Sequence, residues 1–181
     1  MIRPATADDA EAINRIVNWY INNTAINFDT QSWDNEKRRQ WIDTFNQADS
    51  PYCLLVLEQS NNVIGFANNT QFRPKSAYNR STETSVYLDH TVETKGCGTV
   101  LYQALFDRIA SHAFHRAYAV ITLPNDPSVK LHEKFGFRLV GTFCQIGFKF
   151  DQYHDVAMYE KSLSDIIAAP KQNNSKDEQS R

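Results

Sequence analysis

A short glycine-containing segment between a predicted strand and a predicted helix could bind phosphate. It runs from Glu93 to Thr99 and carries Gly96 and Gly98 on either side of Cys97. Glycines let several backbone N–H groups point toward one spot, and the N-terminus of the following helix adds about half a positive charge. Lys95 could add more charge. The segment is neither GxGxxG nor a Walker loop, so alone it indicates an anion site no better than a plain connector.

Two titratable side chains, Glu83 and His132, could move protons. Alternation along the predicted strand 81–88 places Glu83 on the same face as Ser85 and Tyr87. An ordinary glutamate has a pKa of about 4.3, so burial or a water relay would be needed for work as a base. Histidine, with a pKa of about 6.5, could accept or donate a proton. Considered alone, each is more often a solvated carboxylate or a packed imidazole.

A basic loop precedes the strand that carries Glu83. It spans residues 72–80 and contains Arg73, Lys75, Tyr78 and Arg80. A guanidinium suits planar, bidentate binding of a carboxylate, and a nearby ammonium could assist. A solvated basic loop is the alternative, and for Arg80 it is the preferred interpretation.

The elements that must position these residues alternate between helical and strand periodicity. Helices are predicted over 6–22, 34–46, 99–113 and 127–135, and strands over 2–4, 52–57, 63–67, 81–88, 117–123, 137–148 and 155–161. For the last predicted helix, Asp126 suits the N-cap and Pro127 the first helical position. Gly136 suits the left-handed conformation that often ends a helix. We expect one α/β (α+β) domain over residues 1–163, and a polar, disordered tail over 164–181.

The bulk composition argues against several classes of function. The net charge of −2 and a pI near 6.2 give no general basic field, so neither nucleic acid nor membrane is an expected partner. No stretch approaches the roughly 18 apolar residues of a membrane span. Three cysteines are an odd number at wide spacings, which favours a reducing, cytoplasmic location. His112 and His115 lack a spaced third ligand, so no metal is expected.

Several separated motifs, in a consistent order from residue 2 to residue 163, resemble one enzyme family. They are VYLDH, GCGTVLY, LPNDPSVKLHEKFGF, GFKF and YHDVAMY. The chain resembles the GNAT (GCN5-related N-acetyltransferase) superfamily, and more narrowly its phosphinothricin and methionine sulfoximine acetyltransferases. The resemblance implies a mixed, twisted central sheet that is splayed around acetyl-CoA and flanked by helices. It also implies a homodimer.

The resemblance assigns the cofactor contacts. The backbone of the strand binds the pantetheine arm, the glycine segment binds the pyrophosphate, and an asparagine contacts the cofactor beyond. In this chain those residues are Val86, Tyr87, Leu88, Thr94, Lys95, Gly96, Cys97, Gly98, Thr99 and Asn125. Glu93 stands where the family usually has Gln or Arg, and a carboxylate near a pyrophosphate weakens binding unless it points away. The useful group of Cys97 is its backbone N–H.

The resemblance also assigns the chemistry. Glu83 becomes the base that takes a proton from the amine. His132 occupies the place of a tyrosine that protonates the departing thiolate in many members, and either an acid or a base role stays open for imidazole. Arg73 is placed like an arginine that holds an α-carboxylate, with Lys75 and Tyr78 beside it. Phe28 matches an aromatic wall of the substrate pocket, and core packing is its alternative.

The implied function is N-acetylation of a small amino-acid analogue by acetyl-CoA. The expected acceptors are phosphinothricin, methionine sulfoximine and methionine sulfone, attacked directly through a ternary complex. A polyamine, an aminoglycoside or a protein N-terminus are alternative acceptors, against which the basic loop argues mildly. A non-catalytic acyl-CoA-binding module is a further alternative, and the joint presence of Glu83, His132 and Arg73 argues against it.

Overall fold

The computed structural model describes residues 1–163, which form a seven-stranded mixed sheet with helices on both faces. The strands are β1 (Ile2–Pro4), β2 (Leu54–Gln59), β3 (Asn62–Gln71), β4 (Ser81–Leu88), β5 (Arg116–Thr122), β6 (Arg138–Lys149) and β7 (Gln152–Ser162). The helices are α1 (Ala10–Asn23), α2 (Asn35–Asp43), α3 (Cys97–Ile109) and α4 (Asp126–Lys134). The predicted mixed α/β architecture is confirmed, and the predicted tail over 164–181 lies outside the described residues.

The sheet order is β1-β2-β3-β4-β5-β7-β6. Strands β4 and β5 run parallel, and the other five pairings are antiparallel. The turn between β2 and β3 places Ser60 and Asn61 at φ values of 50° and 62°. Two successive left-handed residues match the right-handed twist of the two strands that a tight hairpin joins. None of the helices within residues 1–163 is long and apolar enough to cross a membrane.

Two apolar cores cover the two faces of the sheet. Helix α1 buries Ile13, Val17 and Ile21 against β2 and β3, as its helical spacing predicts. On the opposite face, α3 packs on β2, β3 and β4, and it buries Leu101 and Leu105 in a core that β5 and β7 share. Strand β4 therefore lies between two packed layers, and its alternate side chains enter different cores.

Several helix boundaries differ from the prediction, among them the start of α1 at Ala10 and the end of α3 at Ile109. Helix α2 ends at Asp43 rather than residue 46, where the Thr44 hydroxyl donates to the carbonyl of Trp41 at 2.7 Å. Helix α3 begins at Cys97, directly after Gly96 turns the chain with a φ of 92°. The cap of α4 is Asn125 and not Asp126, because the Asn125 side-chain oxygen accepts from the backbone N–H three residues ahead.

Candidate active site

A cleft opens where the parallel strands β4 and β5 separate. Their pairing runs from Ser81 opposite Arg116 to Glu83 opposite Tyr118. Beyond that point the cleft of about 440 Å³ lies between Thr84–Leu88 of β4 and Ala119–Thr122 of β5. The other edge of β4 remains paired with β3 throughout, so its backbone is held straight while one edge faces the cleft. This is the splayed sheet that the sequence motifs predict.

A buried hydroxyl bridge marks the point of separation. The Thr84 Oγ1 donates to the carbonyl of Tyr118 at 3.2 Å. Since its one proton is used there, the fully buried hydroxyl of Tyr102 donates to Thr84 Oγ1 at 2.6 Å. Thr84 thus links β4 to β5 and to α3 just before the strands diverge.

The glycine segment closes one end of the cleft. Gly96, Gly98 and Thr99 line it, whereas Glu93, Thr94 and Lys95 are exposed and Cys97 is half-buried. Gly96 needs its left-handed φ of 92° to turn the backbone, a conformation that strains any residue with a Cβ. The N-terminus of α3 follows at once, so backbone N–H groups and the helix dipole meet at this end.

Two lysines that sequence analysis missed add positive charge at the same end. Lys130 and Lys134 both line the cleft from α4, and the ammonium of Lys134 donates to Thr99 Oγ1 at 3.4 Å. Their spacing of four residues puts them on one helical face, which is the signal that could have predicted them. An extended cleft with an apolar middle and a cationic end fits the pantetheine and pyrophosphate of acetyl-CoA.

Lys134→Ala is therefore expected to weaken acetyl-CoA binding about 3- to 10-fold, because a surface charge on a phosphate contributes roughly 1 kcal/mol. Titration calorimetry measures the Kd directly. Acetyl-pantetheine, which lacks the pyrophosphate, should bind the variant as it binds the wild type. Lys37→Ala, which removes an equal charge from α2, is the matched control. If Lys134→Ala weakened the binding of acetyl-CoA and of acetyl-pantetheine equally, Lys134 would act on folding or on the shape of the cleft and not on the phosphates.

His132 faces the cleft from α4 and is only 3% exposed. Its Nδ1 lies 2.7 Å from the backbone carbonyl of Ser128, so this nitrogen must carry the proton. Burial lowers the pKa of His132, which favours the neutral ring. The Nε2 then holds a lone pair, is buried, and has no hydrogen-bond partner within residues 1–163.

Glu83 is the last residue of β4 that pairs with β5 before the cleft, and it lies within the electrostatic influence of Arg73. The unbroken pairing of β4 with β3 confirms that the strand is regular, so Glu83, Ser85 and Tyr87 share a face. Burial raises the pKa of the Glu83 carboxyl, and the positive charge of Arg73 partly opposes that rise. The arrangement combines a carboxylate with raised basicity and a nearby cation.

An aromatic platform supports Arg73. Its guanidinium lies 4.4 Å from the ring centroid of Phe72. Phe72 in turn stacks on Tyr118 of β5 at 4.2 Å, directly across from Glu83 in the β4–β5 register. Sequence analysis missed Phe72 and Tyr118, because their pairing depends on which strands become neighbours. The exposed Tyr78 packs edge-on against Phe72, and Lys75 is exposed in the same loop.

Phe28 lies in the loop between α1 and α2 and is 38% exposed, so it is not a core residue. Its ring packs over Gly147 and near His154 of the β6–β7 hairpin. The neighbouring Ile26 lines the cleft, as does Tyr20, whose hydroxyl donates to the carbonyl of Leu88 at 3.0 Å. This loop thus borders the same opening as β4.

The chain is similar to characterised acetyltransferases over nearly its whole length. Residues 2–158 match the acetyltransferase (GNAT) domain. A phosphinothricin N-acetyltransferase from Streptomyces coelicolor is 41% identical over 164 residues, covering 90% of this chain and 95% of that protein. An L-methionine sulfoximine/L-methionine sulfone acetyltransferase from Pseudomonas aeruginosa is 31% identical over 170 residues, covering 93% and 98%.

The fold is similar to a solved structure that holds the cofactor. A GNAT superfamily phosphinothricin acetyltransferase from Sinorhizobium meliloti, in complex with AcCoA, matches with a TM-score of 0.83 and 28% identity, covering 90% of this chain and 87% of that chain. The splayed sheet and its cationic cleft define a transferase that uses an acyl-CoA. The chain belongs to the GNAT acetyltransferase family, and it is an acetyl-CoA-dependent N-acetyltransferase. Within residues 1–163, no cluster of His, Cys, Asp or Glu side chains could hold a metal ion.

Proposed function

We propose that this enzyme acetylates the α-amine of a small amino-acid analogue with a tetrahedral sulfur or phosphorus in its side chain. Phosphinothricin, methionine sulfoximine and methionine sulfone are the acceptors, as the names of the relatives suggest. The observation that carries the proposal is that Arg73 rests on the stacked rings of Phe72 and Tyr118. Tyr118 in turn lies opposite Glu83 in the β4–β5 register, next to the cleft. Glu83 suits the amine and Arg73 the α-carboxylate of the same amino acid.

The residues divide the work between binding and proton transfer. Bound acetyl-CoA supplies the acetyl group as a thioester. The backbone of Val86–Leu88 and the segment Gly96–Thr99 hold it, with Asn125 at the N-terminus of α4. Glu83 takes the proton from the acceptor ammonium, and its raised pKa brings its basicity closer to that task. Arg73 orients the acceptor through its carboxylate.

His132 acts in this scheme as the acceptor of the second proton, which the nitrogen must lose when the amide forms. Its Nδ1 proton is committed to Ser128, and burial keeps the ring neutral, so Nε2 has a lone pair and no proton to give. That geometry opposes the acid role that a tyrosine would perform at this position. The sulfur of CoA then leaves as a thiolate and takes its proton from solvent, because a thiol with a pKa of about 8.5 is mostly protonated near neutral pH.

A panel of acceptors tests the proposal. Release of free CoA thiol from acetyl-CoA is followed with phosphinothricin, methionine sulfoximine, methionine sulfone, spermidine and an aminoglycoside. The proposal expects release with the first three and little with the two polycations. Release with the polycations alone would overturn the acceptor assignment. Acetyl-CoA binding without release for any amine would favour the non-catalytic binding module.

We propose that the enzyme is a homodimer formed through β6. This strand is an edge of the sheet within the described residues, and it exposes a row of large apolar side chains. The row comprises Leu139, Val140, Phe143, Ile146 and Phe148, continued by Phe150 and Tyr153. An exposed apolar edge of this length promotes association or aggregation unless another chain covers it. In a twofold-symmetric dimer, β6 of a second copy of the chain would cover this apolar edge with the same residues.

Ile146→Glu is expected to convert a dimer into a monomer, because it places a charge in the centre of the proposed interface. Light scattering coupled to size-exclusion chromatography measures the mass. Val100→Glu, on the exposed face of α3, is a matched control, since Val100 is 58% exposed and Ile146 is 60% exposed. A monomeric wild type, or equal behaviour of both variants, would contradict the interface.

We also propose a cytoplasmic location. Cys53, Cys97 and Cys144 all carry free thiols, as suits a reducing compartment. Cell fractionation with an antibody against the protein checks this, and a secreted or membrane-bound pool would contradict it.

A further inference from the structure

The loop between α1 and α2 covers the face of β4 that carries the proposed base. The Asn27 side-chain amide donates to the Tyr87 hydroxyl at 3.4 Å. Burial raises the pKa of that hydroxyl, and the nearby carboxylates of Asp29 and Glu83 raise it further. The loop therefore contacts the face of β4 that Tyr87 shares with Glu83. Phe28 lies between Asn27 and Asp29 in the same loop.

The β6–β7 hairpin holds this loop by two contacts. The ammonium of Lys149, only 5% exposed, donates to the backbone carbonyl of Asn27 at 2.6 Å. The Phe28 ring lies directly over Gly147, where an added Cβ would meet the ring carbon Cε2 at 2.1 Å. No side chain larger than hydrogen fits beneath the ring in this position. The first contact fixes the loop backbone, and the second fixes its aromatic side chain.

A bulge in β6 aims the hairpin at the loop. The pairing register with β7 shifts between Phe143 and Gly147, and Gln145 adopts a φ of 54°. The backbone N–H of Gln145 donates to the Asp155 carboxylate at 2.7 Å, which satisfies a group that the bulge removes from the strand ladder. Bulges bend a strand and redirect the residues beyond them. Here those residues include Gly147 and Lys149.

We propose that Gly147 and Lys149 are positioning residues that determine acceptor affinity by fixing Phe28 and Asn27 at the acceptor site. The inference rests on the proposed function, because it takes Phe28 as a wall of the acceptor pocket. Neither residue lines the cofactor cleft. Buried lysines are uncommon because burying an ammonium is costly, so a lysine that donates to a loop carbonyl has a specific structural task. Its loss should affect the acceptor and leave acetyl-CoA binding unaltered.

Gly147→Ala tests the contact with Phe28. We expect the acceptor KM to rise about 10-fold or more, since a displacement of about 1 Å in a positioning group can cost up to 100-fold. The KM for acetyl-CoA should stay within about twofold. Gly141→Ala is the matched control in the same strand, because no atom lies within 4 Å of its added Cβ. Equal acceptor KM values for the two variants would overturn the proposal.

Lys149→Met tests the contact with Asn27, and Lys149→Arg, which keeps a donor, should recover part of the acceptor affinity. Hydrogen exchange of residues 24–33, followed by mass spectrometry, gives a readout that needs no acceptor. Exchange should be faster in Lys149→Met than in the wild type. Unchanged exchange would overturn the proposal even if the wild type acetylated none of the amino acids. A wild type that acetylates none of them would overturn the proposed function separately. If Lys149→Met raised the KM for the acceptor and the KM for acetyl-CoA equally, Lys149 would have a general structural role, and that result would also overturn the positioning proposal.

Discussion

Glu83→Gln is expected to lower kcat by about 100-fold or more, because loss of a positioned general base typically costs 10²- to 10⁴-fold. Glutamine has nearly the same shape and cannot take a proton from the acceptor ammonium. Acetyl-CoA should still raise the thermal midpoint of the variant as it does for the wild type, since the cleft lies beyond Glu83 along β4. Stopped-flow detection of the CoA thiol measures the chemical step.

Glu11→Gln is the control for this variant, because Glu11 is an exposed carboxylate on α1, on the outside of the helix. Its kcat should match that of the wild type. A Glu83→Gln enzyme that keeps more than about half of the wild-type kcat at neutral pH would assign the base to another group. His132 would then be the first candidate, because its Nε2 is the buried proton acceptor that faces the cleft.

Arg73→Ala is expected to lower kcat/KM for the amino-acid acceptors by about 10- to 100-fold. Charge-assisted hydrogen bonds contribute roughly 1.5–3 kcal/mol, and the guanidinium is the group proposed to hold the α-carboxylate. Arg80→Ala removes the same charge from the same loop and should change kcat/KM by less than about twofold. For acceptors whose carboxylate is replaced by an amide, kcat/KM should be the same in the wild type and in Arg73→Ala.

Arg73 also determines where activity begins to rise with pH. The base must be ionised, so activity rises as pH passes through the raised pKa of Glu83. Because the Arg73 charge lowers that pKa, its removal should raise the pKa further and shift the acidic limb of the profile to higher pH. Profiles of kcat/KM for Arg73→Ala and Arg80→Ala give the comparison. If the acidic limb stayed in place or moved to lower pH, the charge of Arg73 would not be what lowers the pKa of Glu83.

The parts of the site that depend on local pattern were predictable from the sequence. The glycine segment between a predicted strand and a predicted helix allowed an anion site as one of two interpretations, and Gly96 and Gly98 line the end of the cleft. Strand alternation is also local, so the shared face of Glu83 and Tyr87 followed from their spacing. The family resemblance added what spacing alone leaves open, namely which strand separates from its neighbour.

The contacts that hold the acceptor side were not predictable from local pattern. Lys149 donates to Asn27 across 122 positions of the sequence, and it lies beyond a register shift in β6. Phe28 could equally have been a core residue until its ring was found over Gly147. Such contacts depend on the assembled sheet, and neither residue type nor periodicity encodes them.

The most direct test of the account follows the acetyl group itself. The enzyme is mixed with acetyl-CoA labelled with ¹³C at the carbonyl and with methionine sulfone, and the products are identified by NMR and mass spectrometry. We predict that the label appears on the α-nitrogen of methionine sulfone, in equal amount to the CoA released, with none attached to the protein. Label that remains in acetyl-CoA, or that is found on Cys97 or another side chain, would contradict direct transfer to an amino-acid amine.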